Sequence, residues 1–371
     1  MASVVDKLQE ALAANPDLTP SELAQLARGE AGIVSDQQVL ALLQRVRNRV
    51  EGIGILEQLV RPGVTDIVVN GPHSVWVDRG RGMEPVPGVS FDSDAEVRQL
   101  ATRLAHTAGH RLDDAVPFAG GHLARPDGLS IRLHAMLAPP SCSGTLISLR
   151  MLQGASARLD ALGLNADVAA VLRNIVLARR SVLVTGGTGT GKTTLLSALL
   201  AEVPHDERVI CIEDTAELHP PHPHVLSLAT RGANSEGCGE ITMSDLLKQA
   251  LRMRPDRIVV GEIRGKEVVD LLTALNTGHD GGAGTVHANS LEEVPARMEA
   301  LGALGGLDAR ALHTQLAAAI DVVIHMARTP AGRVVHQIGT VEGPPPVTTR
   351  VLWEDGVPQQ GWEEFVCSLS R

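Results

Sequence analysis

The hydrophobic positions change their period twice along the chain. Up to about residue 60 they recur at helical spacing, with Val4, Val5, Leu8, Ala11 and Leu12 on one face. The stretch "SDQQVLALLQRVRNRV" opens on a capping-box-like pair, Ser35 and Gln38. Residues 1–55 are therefore expected to form a helical segment, with Arg45, Arg47 and Arg49 on a solvated face. From "TDIVVNGPHSVWVDRG" the period becomes two, and a turn at Asn70, Gly71 and Pro72 predicts a β-hairpin. "FDSDAEVRQLATRLAHTAGH" reads as a helix, and "LSIRLHAML" and "GTLISLRML" read as strands. Residues 56–152 thus form an α+β unit, and 153–164 a linker.

From about residue 165 helices alternate with uninterrupted aliphatic strands: "SVLVTG", "ERVICIED", "DRIVVGE", "GAGTVHAN" and "DVVIHMA". Strands without polar alternation are buried on both faces, so the pattern predicts a parallel sheet between helical layers over 165–345. Residues 346–371 follow a proline-rich stretch and read as a tail carrying a hairpin.

Composition narrows the function classes. At 371 residues the chain exceeds what one core usually holds. Aromatic residues make up 2% and tyrosine is absent, which leaves little material for stacking on single-stranded nucleic acid. A net charge of −10 opposes broad non-specific DNA binding, so no stable nucleic-acid partner is expected. The four cysteines show no CxxC spacing, consistent with a reducing cytosol. No apolar run approaches the roughly 18 residues of a membrane span, and the start has no signal-peptide pattern.

The chemistry begins at "GGTGTGKT", Gly186, Gly187, Thr188, Gly189, Thr190, Gly191, Lys192 and Thr193, followed by Thr194. It lies between an apolar strand and a helix, the context a phosphate loop requires. Glycines let backbone N–H groups wrap phosphate oxygens, and the helix N-terminus adds partial positive charge. Lys192, one of only four lysines, can span the β- and γ-phosphates of ATP, and the Thr193 hydroxyl can ligate Mg²⁺. Two later strands end in acids: Glu213 and Asp214 in "VICIED", and Glu262 in "RIVVGE". Acids at the C-terminal ends of parallel strands point into the crevice that holds the loop. Glu262 suits polarisation of the attacking water. Glu213 and Asp214 suit the magnesium shell, partly through water, and Glu213 can share the catalytic work. Gly261 is unexpected, because an acid is usual there. "TGHDGGAGTVHANS" adds His279 and His287, open at this point to metal, base or turn roles.

Taken in order, "GGTGTGKTT", "IEDTAEL", "LRMRPDRIVVGEIRG" and "TGHDGGAGTVHANS" resemble the four boxes of the bacterial type II/type IV secretion ATPase superfamily. The Tad/CpaF branch, which powers Flp-type pilus assembly, looks most similar, and "GVTDIVVNGPHSVWVDRG" is similar to its N-terminal domain. The resemblance covers about residues 50–345. It implies a RecA-like P-loop NTPase domain behind a smaller α+β domain. It also implies a homo-hexamer at the cytoplasmic face of the plasma membrane, working on inner-membrane platform proteins. His287 becomes the expected γ-phosphate sensor. Arg264, and less directly Arg252 and Arg254, become candidates for neutralising transition-state charge. Arg132 and Arg150 become nucleotide contacts, although Ala124 stands where the family usually has an arginine. The competing reading is DNA transfer in conjugation, or another nucleic-acid-translocating RecA-like motor.

Overall fold

The computed structural model describes residues 52–369 apart from 126–128, 153, 234–236 and 330–331, together with Glu22, Gln25, Leu26 and Gly29. The helical segment expected over 1–55, with its three arginines, lies almost wholly outside the described residues. The chain divides into two compact units, Met1–Gln153 and Gly154–Arg371.

In the first unit β1 (Asp66–Asn70), β2 (Val75–Asp78), β3 (Met83–Pro85), α1 (Asp94–Thr107), β4 (Phe118–Ala124), β5 (Ser130–Met136) and β6 (Leu146–Leu152) follow in order. The strands form one antiparallel sheet, β3-β2-β1-β6-β5-β4. Period-two alternation sends Ile67, Val69, Ile131, Leu133, Ile147 and Leu149 into a core with α1. The opposite face presents a cross-strand row: His122 pairs with Arg132, Arg132 with Arg150, and Arg150 with Asp66. Strand β4 was not legible in "FAGGHLA". Gly121 is required there because a Cβ would come within 2.7 Å of the Ala108 Cβ.

The second unit runs α2 (Ala166–Leu177), β7 (Val182–Gly186), α3 (Lys192–Leu200), β8 (Val209–Glu213), β9 (Val225–Ala229) and α4 (Met243–Ala250). Next come β10 (Arg257–Ile263), α5 (Glu267–Leu275), β11 (Ala283–Val286), α6 (Val294–Leu304), α7 (Ala309–Ala319) and β12 (Val322–Thr329). Strands β13 (Gly332–Glu342), β14 (Thr348–Glu354) and β15 (Val357–Pro358) and helix α8 (Trp362–Ser368) complete it.

Its nine strands order as β15-β14-β13-β12-β7-β11-β10-β8-β9. The six from β12 to β9 are parallel, and β13, β14 and β15 add antiparallel. The sheet is therefore mixed rather than purely parallel, because β12 turns directly into β13 with no crossover helix. It also continues beyond residue 345 into the tail, where α8 packs Trp362, Phe365 and Val366 on the core. Strand β7 is buried along its whole length. Val182 and Val184 face α2 and α3, while Leu183 faces the layer of α4 to α7. These are the two covered faces that uninterrupted aliphatic strands demand. Among the described residues no helix is long and apolar enough to cross a membrane.

Parallel alignment puts the ends of β7, β8, β10 and β11 on one edge. The loop after β7, Glu213, Glu262 and His287 sit at those four ends. At the opposite ends Arg257, 1% exposed, starts β10. Its Nε is 2.6 Å from Glu207, and its Nη atoms donate to the carbonyls of Gly281 and Val176. One guanidinium thereby ties the base of the sheet to α2 and to the segment leading into β11.

Candidate active site

The loop 186–191 carries three glycines at positive φ, Gly186, Gly189 and Gly191. At Gly186 a Cβ would collide with the Met326 carbonyl of β12, so only glycine fits where the loop leaves the sheet. The Thr190 hydroxyl donates to the Gly187 carbonyl at 2.9 Å and braces the turn. Among the described residues no acceptor meets the backbone N–H groups of residues 187–194. A run of free donors at the start of α3 is an anion-binding concavity. Thr193 and Thr194 stand half-buried in the first turn of α3.

Lys192 is buried, and its Nζ donates to the carbonyls of Gly186 and Gly187, both at 2.9 Å. Burial holds it below the ordinary lysine value, against the pull of Glu262. From Lys192 a chain of charged groups runs along the strand ends. Nζ lies 3.4 Å from His287 Nε2, which lies 2.8 Å from Glu262 Oε1. Glu262 Oε2 meets Arg264 Nη2 at 2.5 Å, and Arg264 Nη1 meets Asp214 Oδ2 at 3.2 Å.

Burial and the Lys192 charge lower the His287 pKa although Glu262 opposes them, so the ring is neutral at neutral pH. A carboxylate only accepts, so Nε2 carries the proton and donates it to Glu262. The contact with Lys192 is then electrostatic and not a hydrogen bond. Burial works against charge on Glu262, but Arg264, His287 and Lys192 outweigh it and hold the acid below the usual carboxylate range.

Glu213 behaves differently. It is 4% exposed, and its oxygens accept the N–H groups of Glu217 and Leu218 at 3.2 Å. Burial lifts its pKa from 4.5 to about 7 in spite of those bonds. Gly261 explains the position: a Cβ there would lie 2.6 Å from the Glu213 Cγ. The missing acid in the neighbouring strand is the space in which Glu213 sits. An acid with a raised folded pKa binds its proton more tightly folded than unfolded. Stability from this group is therefore full below about pH 4.5 and declines as pH rises towards 7 and beyond. The decline is roughly 3 kcal/mol. The melting temperature of Glu213→Gln should fall less between pH 5 and pH 8 than that of the wild type. Equal falls would mean that Glu213 ionises normally.

The structure brings together Lys192, His287, Glu262, Arg264 and Asp214. It does not bring Arg252 or Arg254 to them: both precede β10, at the opposite edge of the sheet. Arg132 and Arg150 belong to the other unit. Arg150 Nε pairs with Asp66 at 2.8 Å, while Arg132 makes no ion pair among the described residues. His279 caps α5, with Nδ1 3.2 Å from the Ala274 carbonyl.

Two residues at the site were missed from sequence. Arg297 on α6 is exposed and lines a cavity of about 480 Å³ with Gly187, His287, Asn289 and Glu293. Its charge contributes to the lowered His287 pKa. Arg333 on β13 donates from Nε to the Gly189 carbonyl at 3.0 Å. Neither lies in a recognisable motif.

A parallel sheet with a phosphate loop at one strand end and acids at the next defines a P-loop ATPase of the RecA-like class. A profile of the type II/IV secretion system proteins matches residues 49–351, and the chain belongs to that family. A Mycobacterium tuberculosis protein that carries a conjugal-transfer name is 55% identical over 308 residues, covering 81% of this chain and 87% of that one. The conjugal transfer protein TrbB of Rhizobium radiobacter is 32% identical, covering 76% and 84%. The type IV secretion system protein VirB11 of Brucella suis is 31% identical, covering 71% and 81%. Among solved structures the pilus retraction motor PilT with bound ADP aligns with a TM-score of 0.57 over 86% of this chain and 87% of that one. At 19% identity that likeness shows the fold alone. The chain is an ATPase of the secretion and conjugation family.

Proposed function

We propose that the chain works as a homo-hexameric motor at the cytoplasmic face of the plasma membrane, driving a pilus or secretion apparatus through inner-membrane platform proteins. The observation that carries the catalytic part is the chain of contacts from Lys192 through His287 and Glu262 to Arg264 beside a loop of free N–H groups. In this reading ATP occupies the loop, and Lys192 exchanges the carbonyls of Gly186 and Gly187 for phosphate oxygens. Glu262, ionised and aligned by His287, polarises the attacking water. A bond forms from the water oxygen to the γ-phosphorus, and the bond to the β–γ bridging oxygen breaks, releasing ADP. His287, a neutral donor on the charged Glu262, reports whether the γ-phosphate is present. Arg264 and Arg297 supply positive charge for the phosphates and the transition state.

Magnesium fits the donor set only in part. Thr193 offers a hydroxyl at the loop, Asp214 is already engaged by Arg264 and the Thr230 hydroxyl, and both Glu213 oxygens already hold backbone N–H groups. Among the described residues no group of three or more His, Cys, Asp or Glu side chains could hold a metal. Thr193 and Asp214 would hold magnesium together with the nucleotide, with Glu213 acting through water. The metal would neutralise phosphate charge.

The boundaries 56–152 and 165–345 remain our proposed functional division, while residues 346–371, expected as a separate tail, add strands and a helix to the sheet and core of the second unit. The relative at 55% identity favours a second reading, a motor for DNA transfer in conjugation. The two separate by ATP hydrolysis with and without single-stranded DNA. The secretion reading expects full turnover without DNA. Hydrolysis that requires single-stranded DNA would overturn it.

A further inference from the structure

We infer that Arg333 is a positioning residue of the phosphate loop, fixing the peptide at the loop apex so that its donor faces the nucleotide. The inference rests on the reading of residues 186–193 as the ATP phosphate site. It begins from two contacts. Arg333 Nε donates to the Gly189 carbonyl at 3.0 Å. Its aliphatic stem lies over Gly191, where a Cβ would approach the Arg333 Cδ to 3.1 Å. Gly189 and Gly191 are both at positive φ, at 73° and 95°. Glycines in that region have many accessible conformations, so something must select one.

Peptide geometry turns the first contact into a statement about phosphate binding. In a trans peptide the carbonyl and the following N–H point to opposite sides. Holding the Gly189 carbonyl towards Arg333 therefore aims the Thr190 N–H away from Arg333. That N–H is one of the free donors of the loop. Arg333 stands outside the loop on β13, so the donor it directs faces the other side of the peptide. Without the guanidinium, the Gly189–Thr190 peptide is free to flip and withdraw a phosphate donor.

Strand stability does not explain the residue. The cross-strand partner of Arg333 on β12 is Arg328. Like charges directly opposite each other destabilise an antiparallel pair, so the hairpin gains nothing from this choice. Arg333 is exposed, and among the described residues its polar contact is with the loop. A planar guanidinium fits the task because Nε has a fixed direction, while the ammonium of lysine is a rotating point donor. The arrangement also links the antiparallel extension of the sheet to nucleotide occupancy through one side chain.

The test uses the full chain, with MgATP turnover and calorimetric titration of ADP. Arg333→Met keeps the stem over Gly191 and removes the donor. It should raise the KM for ATP and the Kd for ADP about tenfold, the worth of one charge-assisted hydrogen bond, with kcat within about twofold. Arg333→Lys should recover part of the affinity. Arg350→Met is the control: Arg350 lies on the neighbouring β14, donates to Gln360 and pairs with Glu342. It should leave both constants unchanged. Unchanged ADP affinity in Arg333→Met, or an equal loss in Arg350→Met, overturns the inference and leaves the loop assignment standing. Failure of the wild type to bind ADP removes the loop assignment itself.

Discussion

Glu262→Gln is expected to bind ATP with near-normal affinity and to hydrolyse it about 10²–10⁴-fold more slowly, the usual worth of a positioned acid–base group. The carboxylate is charged because Arg264 at 2.5 Å and His287 at 2.8 Å outweigh its burial. Glutamine keeps the volume and one acceptor oxygen, so the contact with His287 can persist. It cannot draw a proton from water. Binding should survive because the phosphate contacts come from the loop and Lys192. Nucleotide titration combined with phosphate release separates the two effects. Hydrolysis at the wild-type rate would show that Glu262 is not the base.

The largest effect on stability is expected far from the site. Arg257→Ala should cost about 3–5 kcal/mol, because it removes the buried partner of the largely buried Glu207 and leaves the Gly281 carbonyl without its guanidinium donor. Arg179 also pairs with Glu207 at 2.9 Å, but from a 41% exposed position, and it cannot replace the lost bonds. Arg180→Ala offers the comparison: its pair with Asp321 is 3.4 Å long and exposed, worth under about 1 kcal/mol. Chemical denaturation of both variants measures the difference. If Arg257→Ala unfolds at the same denaturant concentration as Arg180→Ala, the guanidinium does not hold the base of the sheet.

The parts of the site that were legible from sequence share one cause. Uninterrupted aliphatic strands mark buried parallel strands, and their last residues must face the loop edge. That rule puts Glu262 and His287 on the loop edge, and Lys192 follows from the phosphate-loop motif. Glu213 shows its limit. Its place at a strand end was legible, but its direction was set by Gly261 on the next strand, 48 residues later in the chain. Arg333 lies 144 residues from Gly189, on a strand that reads as ordinary hairpin, and only the sheet order brings them together. In β4 the two glycines erased the period-two signal, and at Gly121 the close approach of Ala108 and His110, just after α1, leaves no room for a side chain. The family resemblance supplied the γ-phosphate role of His287. The hydrogen bond that would let His287 act on Glu262 depends on how β10 and β11 pair in the sheet.

The central claim is that Glu262 and His287 act as one unit on the water that attacks ATP. The measurement that tests it most directly is a double-mutant cycle on kcat with Glu262→Gln, His287→Ala and the pair together. If His287 works by aligning Glu262, the double variant should be no slower than Glu262→Gln alone, as for groups that act together. Losses that multiply would show two independent contributions and contradict the account.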